Sequence, residues 1–141
     1  MNQQFTKLRI NTDGGSRNNP GHAAIGFVIA TLEGETLAAE KKYIGIATNN
    51  EAEYQAMLSG LTHVRNFFPQ CKEIDIYADS ELMIKQLNGE YKIREEHLKR
   101  FAEAIKVLLR EFSVANLHHV LRTNNKAADK LVNAALDERQ S

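Results

Sequence analysis

The chain has one cysteine, two prolines, no tryptophan and no net charge, with 18 basic and 18 acidic groups among 141 residues. Each shortage excludes something. A lone Cys71 allows no disulfide framework and no cysteine zinc site. It fits a reduced, cytoplasmic compartment. Zero net charge excludes a grip on nucleic acid through bulk positive charge, though a local basic patch is still allowed. No apolar run approaches the roughly 20 residues of a membrane span. The polar stretch Met1 to Leu8 lacks a signal-peptide core. No linker, low-complexity tract or internal repeat of roughly 20 to 50 residues is visible, so one domain over residues 1–141 is expected.

What is present is 43% hydrophobic and 26% charged, too apolar for a disordered chain. Lys7 to Thr12 alternates as a strand and runs into a turn-rich stretch, Asp13 to Gly21. Ala23 to Thr31 reads as a buried strand. Glu33-Gly34-Glu35 reads as a hairpin turn, and Thr36 to Ile46 as a third strand. A helix from Asn50 to Phe68 carries Met57, Leu61, Val64 and Phe68 at helical spacing and stops at Pro69. Glu73 to Ala78 is a strand, Ser80 to Leu87 a short helix ended by Asn88-Gly89, and Glu95 to Phe112 a helix. Val114 to Leu121 is a fifth strand and Asn125 to Asp137 a last helix. The order β-β-β-α-β-α-α-β-α predicts an α/β fold. It has a mixed five-stranded sheet, three antiparallel then two parallel strands, flanked by helices.

Four acids fall at the ends of these elements: Asp13, Glu53, Asp79 and Asp129. Strand carboxyl ends and the following helix starts share one rim in such sheets, and ligands bind there. The first and fourth strands, lying side by side, would bring Asp13 and Asp79 together. Clustered carboxylates stay ionised together only when a cation neutralises them. Hard oxygen ligands select Mg²⁺ or Mn²⁺, and a pair of such ions suits phosphoryl transfer at a phosphodiester. Each acid also has a plain structural alternative. Acids at helix starts complement the dipole. Thr48-x-x-Glu51 and Asn50-x-x-Glu53 both resemble capping boxes, Asp79 could cap its helix, and Asp13-Gly14-Gly15 could be a turn.

Asp13-Gly14-x-x-x-x-Asn19-Pro20-Gly21, Thr48-Asn49-Asn50-x-x-Glu53, Asp79-Ser80 and Asn125-x-x-Ala128-Asp129-x-Leu131 together resemble type 1 ribonuclease H. The blocks run in the family's order over nearly the whole chain. The resemblance implies a ribonuclease H-like fold and a metal-dependent endonuclease. Such an enzyme cuts the RNA strand of RNA–DNA hybrids by a two-metal mechanism, leaving 5′-phosphate and 3′-hydroxyl ends. Mg²⁺ is the implied cofactor, with Mn²⁺ as a substitute. Asp13, Glu53, Asp79 and Asp129 match the catalytic, metal-binding acids. Asp13 would bridge both ions, Glu53 and Asp79 would hold the one nearer the leaving oxygen, and Asp129 the one nearer the attacking water. Glu51 is a helix-start residue by the same comparison. Asn19 and Thr48 match a pocket for a DNA phosphate. Asn49 and Asn50 match minor-groove contacts, where 2′-hydroxyls distinguish RNA, with helix capping as their alternative. Ser80 is a further 2′-hydroxyl partner.

The pattern also departs from much-studied bacterial members. Their glycine-rich loop with a His is replaced by Arg122-Thr123-Asn124-Asn125-Lys126, as in a shorter-loop branch of the family. Arg122 could then contact the scissile phosphate; its alternative is a solvated strand-end Arg. A basic, Trp-bearing protrusion is also missing, because Lys92, Arg94, Lys99 and Arg100 are balanced by Glu90, Glu95 and Glu96. Weaker hybrid binding with a shallow salt dependence is expected. His118 and His119 read as structural, His22 as near the Asn19-Pro20-Gly21 turn, and Cys71 as a small buried hydrophobe. The protein is expected to be a monomer with an RNA–DNA hybrid as its partner and no membrane. The competing reading is a non-catalytic nucleic-acid-binding module on the same fold. Nucleases of DNA or double-stranded RNA are the third possibility; Thr48-Asn49-Asn50 disfavours the DNA one.

Overall fold

The chain is described from a computed structural model in which residues 5–140 are placed; the polar N-terminus noted above lies partly outside them. Five strands, β1 (Lys7–Arg17), β2 (Gly21–Ala30), β3 (Thr36–Ala47), β4 (Glu73–Ala78) and β5 (Val114–His119), form one sheet in the order β3-β2-β1-β4-β5. β1 pairs antiparallel with β2, and β2 with β3; β1–β4 and β4–β5 are parallel. The helices are α1 (Asn49–Phe67), α2 (Glu81–Leu87), α3 (Glu96–Leu109) and α4 (Lys126–Gln140). The expected mixed sheet is therefore found. Among the described residues no helix is long and apolar enough to cross a membrane.

The two faces of the sheet are covered unequally. The even positions of β1 and β4 (Leu8, Ile10, Ile74, Ile76) meet Tyr54, Met57, Leu61 and Val64 of α1. Leu98, Ile105 and Leu108 of α3 join them. Fully burying each such side chain contributes roughly 1.5–3 kcal/mol, so this is the main core. Tyr54, also inside, donates its hydroxyl to Gln86 Oε1 at 2.6 Å, and Gln86 Nε2 donates to the Lys92 carbonyl at 3.2 Å. Burial of the phenol pushes its pKa up to about 12. Cys71 is buried at the edge of the same core, its thiol pushed up to about 11, which makes it unreactive. Among the described residues the opposite face carries only α4, on β1, β2 and β3, through a small cluster of Ala24, Val132, Ala135 and Leu136.

Element ends shift from the sequence expectation, most consequentially those of β1 and β5. β1 does not stop at Thr12: Asp13 through Arg17 pair with Gly26 through His22, so Asp13-Gly14-Gly15 is strand rather than turn. The glycines serve close approach. A Cβ on Gly14 would lie 2.2 Å from the Ala52 carbonyl carbon in α1, and one on Gly26 would lie 2.7 Å from Leu131 Cβ in α4. β5 ends at His119, because β4 ends at Ala78 and offers no further edge beyond the Val120 N–H to Ala78 carbonyl bond. A 3-10 turn, Arg122–Asn124, then leads into α4.

Candidate active site

β1 and β4 run parallel with Thr12 opposite Ala78, so the next residues, Asp13 and Asp79, emerge side by side. Glu53 comes in from the first turns of α1. The Gly14 N–H donates to Glu53 Oε1 at 3.1 Å and holds that carboxylate against β1. One carboxylate oxygen each of Asp13, Glu53 and Asp79 lie within 4.8 Å of one another. Asp13 and Glu53 are buried and Asp79 half-buried. Asp129, half-buried at the start of α4, borders the same cleft of about 390 Å³ together with Arg122.

The electrostatics are strained in one direction. Burial and then the Asp79 and Asp129 charges push the Asp13 carboxyl from 3.8 up to about 8. Burial, then Asp13 and Asp79, hold Glu53 well above its ordinary range. Acids so crowded and desolvated keep protons unless a cation replaces them. Arg122 answers this charge: its Nη2 donates to Asp129 Oδ1 at 3.1 Å and it partly offsets the charge on Asp13. That guanidinium is 77% exposed, so the pair is solvent-screened.

Several capping alternatives are now decided. Thr48 caps α1: its Oγ1 accepts from the Glu51 N–H at 3.1 Å, and Glu51 Oε1 accepts from the Thr48 N–H at 2.9 Å. Glu51 is thus the helix-start residue, and Asn50 and Glu53 form no capping box. Asn49 does not cap either; its Oδ1 accepts from the Ser16 N–H at 2.8 Å and its N–H donates to Asn19 Oδ1 at 3.0 Å. Asn19, Thr48 and Asn49 therefore gather where the β1–β2 turn meets α1. The Asn50 side chain makes no hydrogen bond among the described residues, and it is half-buried. Ser80, not Asp79, caps α2, accepting from the Met83 N–H at 3.2 Å. Asp79 is left to the acid cluster.

The histidines are engaged elsewhere. His118 Nε2 lies 3.0 Å from Asp75 Oδ1, and its ring stacks on Tyr77 at 4.7 Å. His119 is exposed at the end of β5. His22 Nδ1 lies 2.7 Å from the Tyr43 hydroxyl. The segment between α2 and α3 is a plain loop whose Lys92 and Arg94 are exposed.

One residue escaped the sequence reading as a site residue. Asn125, 2% exposed, donates from Nδ2 to the Thr12 carbonyl at 2.9 Å and toward Asp79 Oδ2 at 3.4 Å. Its place in the Asn-x-x-Ala-Asp block was the available signal, and a helix-start Asn reads by default as a cap.

A family model described as reverse transcriptase-like matches residues 11–135. Ribonuclease HI of Halobacterium salinarum is 39% identical over 126 residues, covering 89% of this chain and 62% of that protein. The crystal structure of RNase H1 from that archaeon superposes with a TM-score of 0.89 at 37% identity, over 94% of this chain and 98% of the other. LC11-RNase H1, solved in complex with an RNA/DNA hybrid, gives 0.90 at 39% identity, over 95% and 99%. The chain spans 62% of the length of the halobacterial relative and 36% of a bifunctional mycobacterial one. The fold is that of the reverse transcriptase-like class. Within it, this chain belongs to the type 1 ribonuclease H family.

Proposed function

We propose that the chain is a divalent-cation-dependent endonuclease that hydrolyses the RNA strand of RNA–DNA hybrids, leaving 5′-phosphate and 3′-hydroxyl ends. The observation that carries this reading is the triad Asp13, Glu53 and Asp79, with carboxylate oxygens within 4.8 Å and two of the three acids buried. The donor set is all oxygen, and burial, then crowding, pushes Asp13 and Glu53 toward their protonated forms, a bias that a hard cation would reverse. The residues therefore fit Mg²⁺, with Mn²⁺ as a substitute. Asp13, Glu53 and Asp79 would hold the cation, and Asp129 would complete the site from α4. A bound cation pair supplies an acidified water and charge neutralisation at the leaving 3′-oxygen.

The chain's own residues do the rest. Asn19 and Thr48, joined through the Asn49 N–H, offer a phosphate pocket for the DNA strand beside the cleft. Asn49 and Asn50 lie toward the minor groove, where 2′-hydroxyls mark the RNA strand. Ser80 keeps its hydroxyl proton while capping α2 and can give it to a 2′-hydroxyl. Arg122 can exchange Asp129 for a phosphate oxygen near the bond that breaks. We further propose a single domain over residues 1–141 that works as a cytoplasmic monomer. In the reaction, the water oxygen bonds to phosphorus and gives up a proton to solvent as the P–O3′ bond breaks, and the leaving 3′-oxygen takes a proton from solvent.

A non-catalytic nucleic-acid binder is the second reading. It is disfavoured by the acid triad itself, since uncompensated carboxylates repel phosphate. An end-labelled hybrid incubated with Mg²⁺, Mn²⁺ or chelator separates the two, with Asp79→Asn and single- and double-stranded RNA and DNA alongside. Cation-dependent cutting of the hybrid's RNA strand, lost in the variant, is expected. Hybrid binding without cutting under either cation would establish the binder instead.

A further inference from the structure

Asn125 makes three hydrogen bonds with one carboxamide. Its NH₂ faces the Thr12 carbonyl and Asp79 Oδ2. Its Oδ1 accepts from Asn11 Nδ2 at 3.0 Å. Asn11 is half-buried on β1, two positions before Asp13 and in register with Tyr77 of β4. Among the described residues its side chain hydrogen-bonds to none of the four acids.

The chemistry of the amide makes the Asn11 contact consequential. Turned over, Asn125 would set its oxygen against two acceptors, the Thr12 carbonyl and the Asp79 carboxylate, and its NH₂ against the NH₂ of Asn11. Both changes are repulsive. Deprived of the Asn11 donor, Oδ1 is a buried acceptor with no partner. One of the two sides that fix the carboxamide is then gone, and any rotation that brings Oδ1 to another donor takes the NH₂ away from Asp79 Oδ2.

We propose that Asn11 is a positioning residue for Asp79: by donating to Asn125 Oδ1 it keeps the Asn125 NH₂ on the Thr12 carbonyl and the Asp79 carboxylate, and so fixes the direction in which Asp79 meets a divalent cation. This rests on reading the acid triad as a cation site. Groups that hold a metal ligand in place are themselves worth about 10–100-fold in affinity or rate. Strand β1 tolerates leucine well at this position, since the backbone pairing with β2 and β4 needs no particular side chain.

The test combines Mn²⁺ calorimetry on the hybrid-free protein with steady-state cleavage of an RNA–DNA hybrid. The set is the unaltered chain, Asn11→Leu, Asn11→His (which keeps a ring N–H donor), Asn125→Ala, and Asn11→Leu combined with Asn125→Ala. Asn11→Leu is expected to weaken Mn²⁺ binding by about tenfold and lower kcat with the KM for hybrid unchanged. Asn11→His should restore most of both. In the Asn125→Ala background, Asn11→Leu should cost nothing more. The proposal is overturned if Asn11→Leu lowers only the melting temperature, or if its cost adds in full to that of Asn125→Ala. Absence of Mn²⁺ binding by the unaltered chain also overturns it. Should the unaltered chain bind Mn²⁺ and cut no hybrid, the proposed function fails while the Mn²⁺ affinities still decide the role of Asn11.

Discussion

The acid site has two sides built in different ways. On one side Asp13, Glu53 and Asp79 rise from β1, α1 and β4, elements welded together over the main core, and Gly14 and Asn125 fix two of the three carboxylates by hydrogen bonds. On the other, Asp129 stands on α4, which rests on a small cluster of two alanines, a valine and a leucine, and it is paired with an exposed Arg122 on a 3-10 turn. The first side is preorganised and electrostatically strained. The second is neutralised in advance and adaptable. A cation site needs rigid ligands to hold an ion, whereas a group that must exchange partners when a phosphate arrives is better placed on an exposed, loosely tied segment.

The largest effect should come from breaking the rigid side. Glu53→Gln or Asp79→Asn is expected to lower hybrid cleavage by roughly 10³-fold, the scale on which a preorganised electrostatic group acts. Quench-flow or gel assays at saturating Mg²⁺ would measure it. Next is the packing that brings α1 onto β1. Gly14→Ala sets a Cβ within 2.2 Å of the Ala52 backbone, so α1 must move. A loss of about 3 kcal/mol in urea denaturation is expected, together with loss of the Gly14 bond to Glu53.

A third prediction concerns pH. The Asp13 pKa is about 8 in the folded chain and about 3.9 in an unfolded one. Between those values the folded state keeps a proton that the unfolded state releases. Stability without divalent cations therefore falls as pH rises from about 4 toward about 8, and Glu53 acts in the same direction. Asp13→Asn should flatten that slope and leave the cation-free protein more stable than the unaltered chain at pH 8, while abolishing cleavage. Urea melts in chelator at both ends of the range would show it. The smallest effect belongs to the adaptable side. Arg122→Ala should change stability by less than about 1 kcal/mol, as exposed pairs do. It should lower kcat by about tenfold; an unchanged kcat at saturating hybrid removes Arg122 from the transition state.

The contrast between the sides also explains what was legible in the sequence. Strands and helices follow from periodicity, the mixed sheet follows from their order along the chain, and the four acids stand out because each falls at an element end. The rigid side's supports were not legible. Asp13-Gly14-Gly15 reads as a turn by composition, yet it is strand, because glycine was required by the approach of α1 and not by φ. Thr48, Asn49 and Asn50 all look like caps, and the structure decides for Thr48, with Asn49 reaching Ser16 instead. Asn125 and Asn11 are 114 positions apart, and no local pattern couples them.

The most direct test of the central claim, that a rigid triad holds the cation and Asp129 completes the site, is Mn²⁺ calorimetry. It would compare the unaltered chain, Glu53→Gln and Asp129→Asn, each without nucleic acid. The account predicts that Glu53→Gln loses the tighter binding event and Asp129→Asn retains it. Retention in Glu53→Gln with loss in Asp129→Asn would contradict it and move the primary cation site to α4.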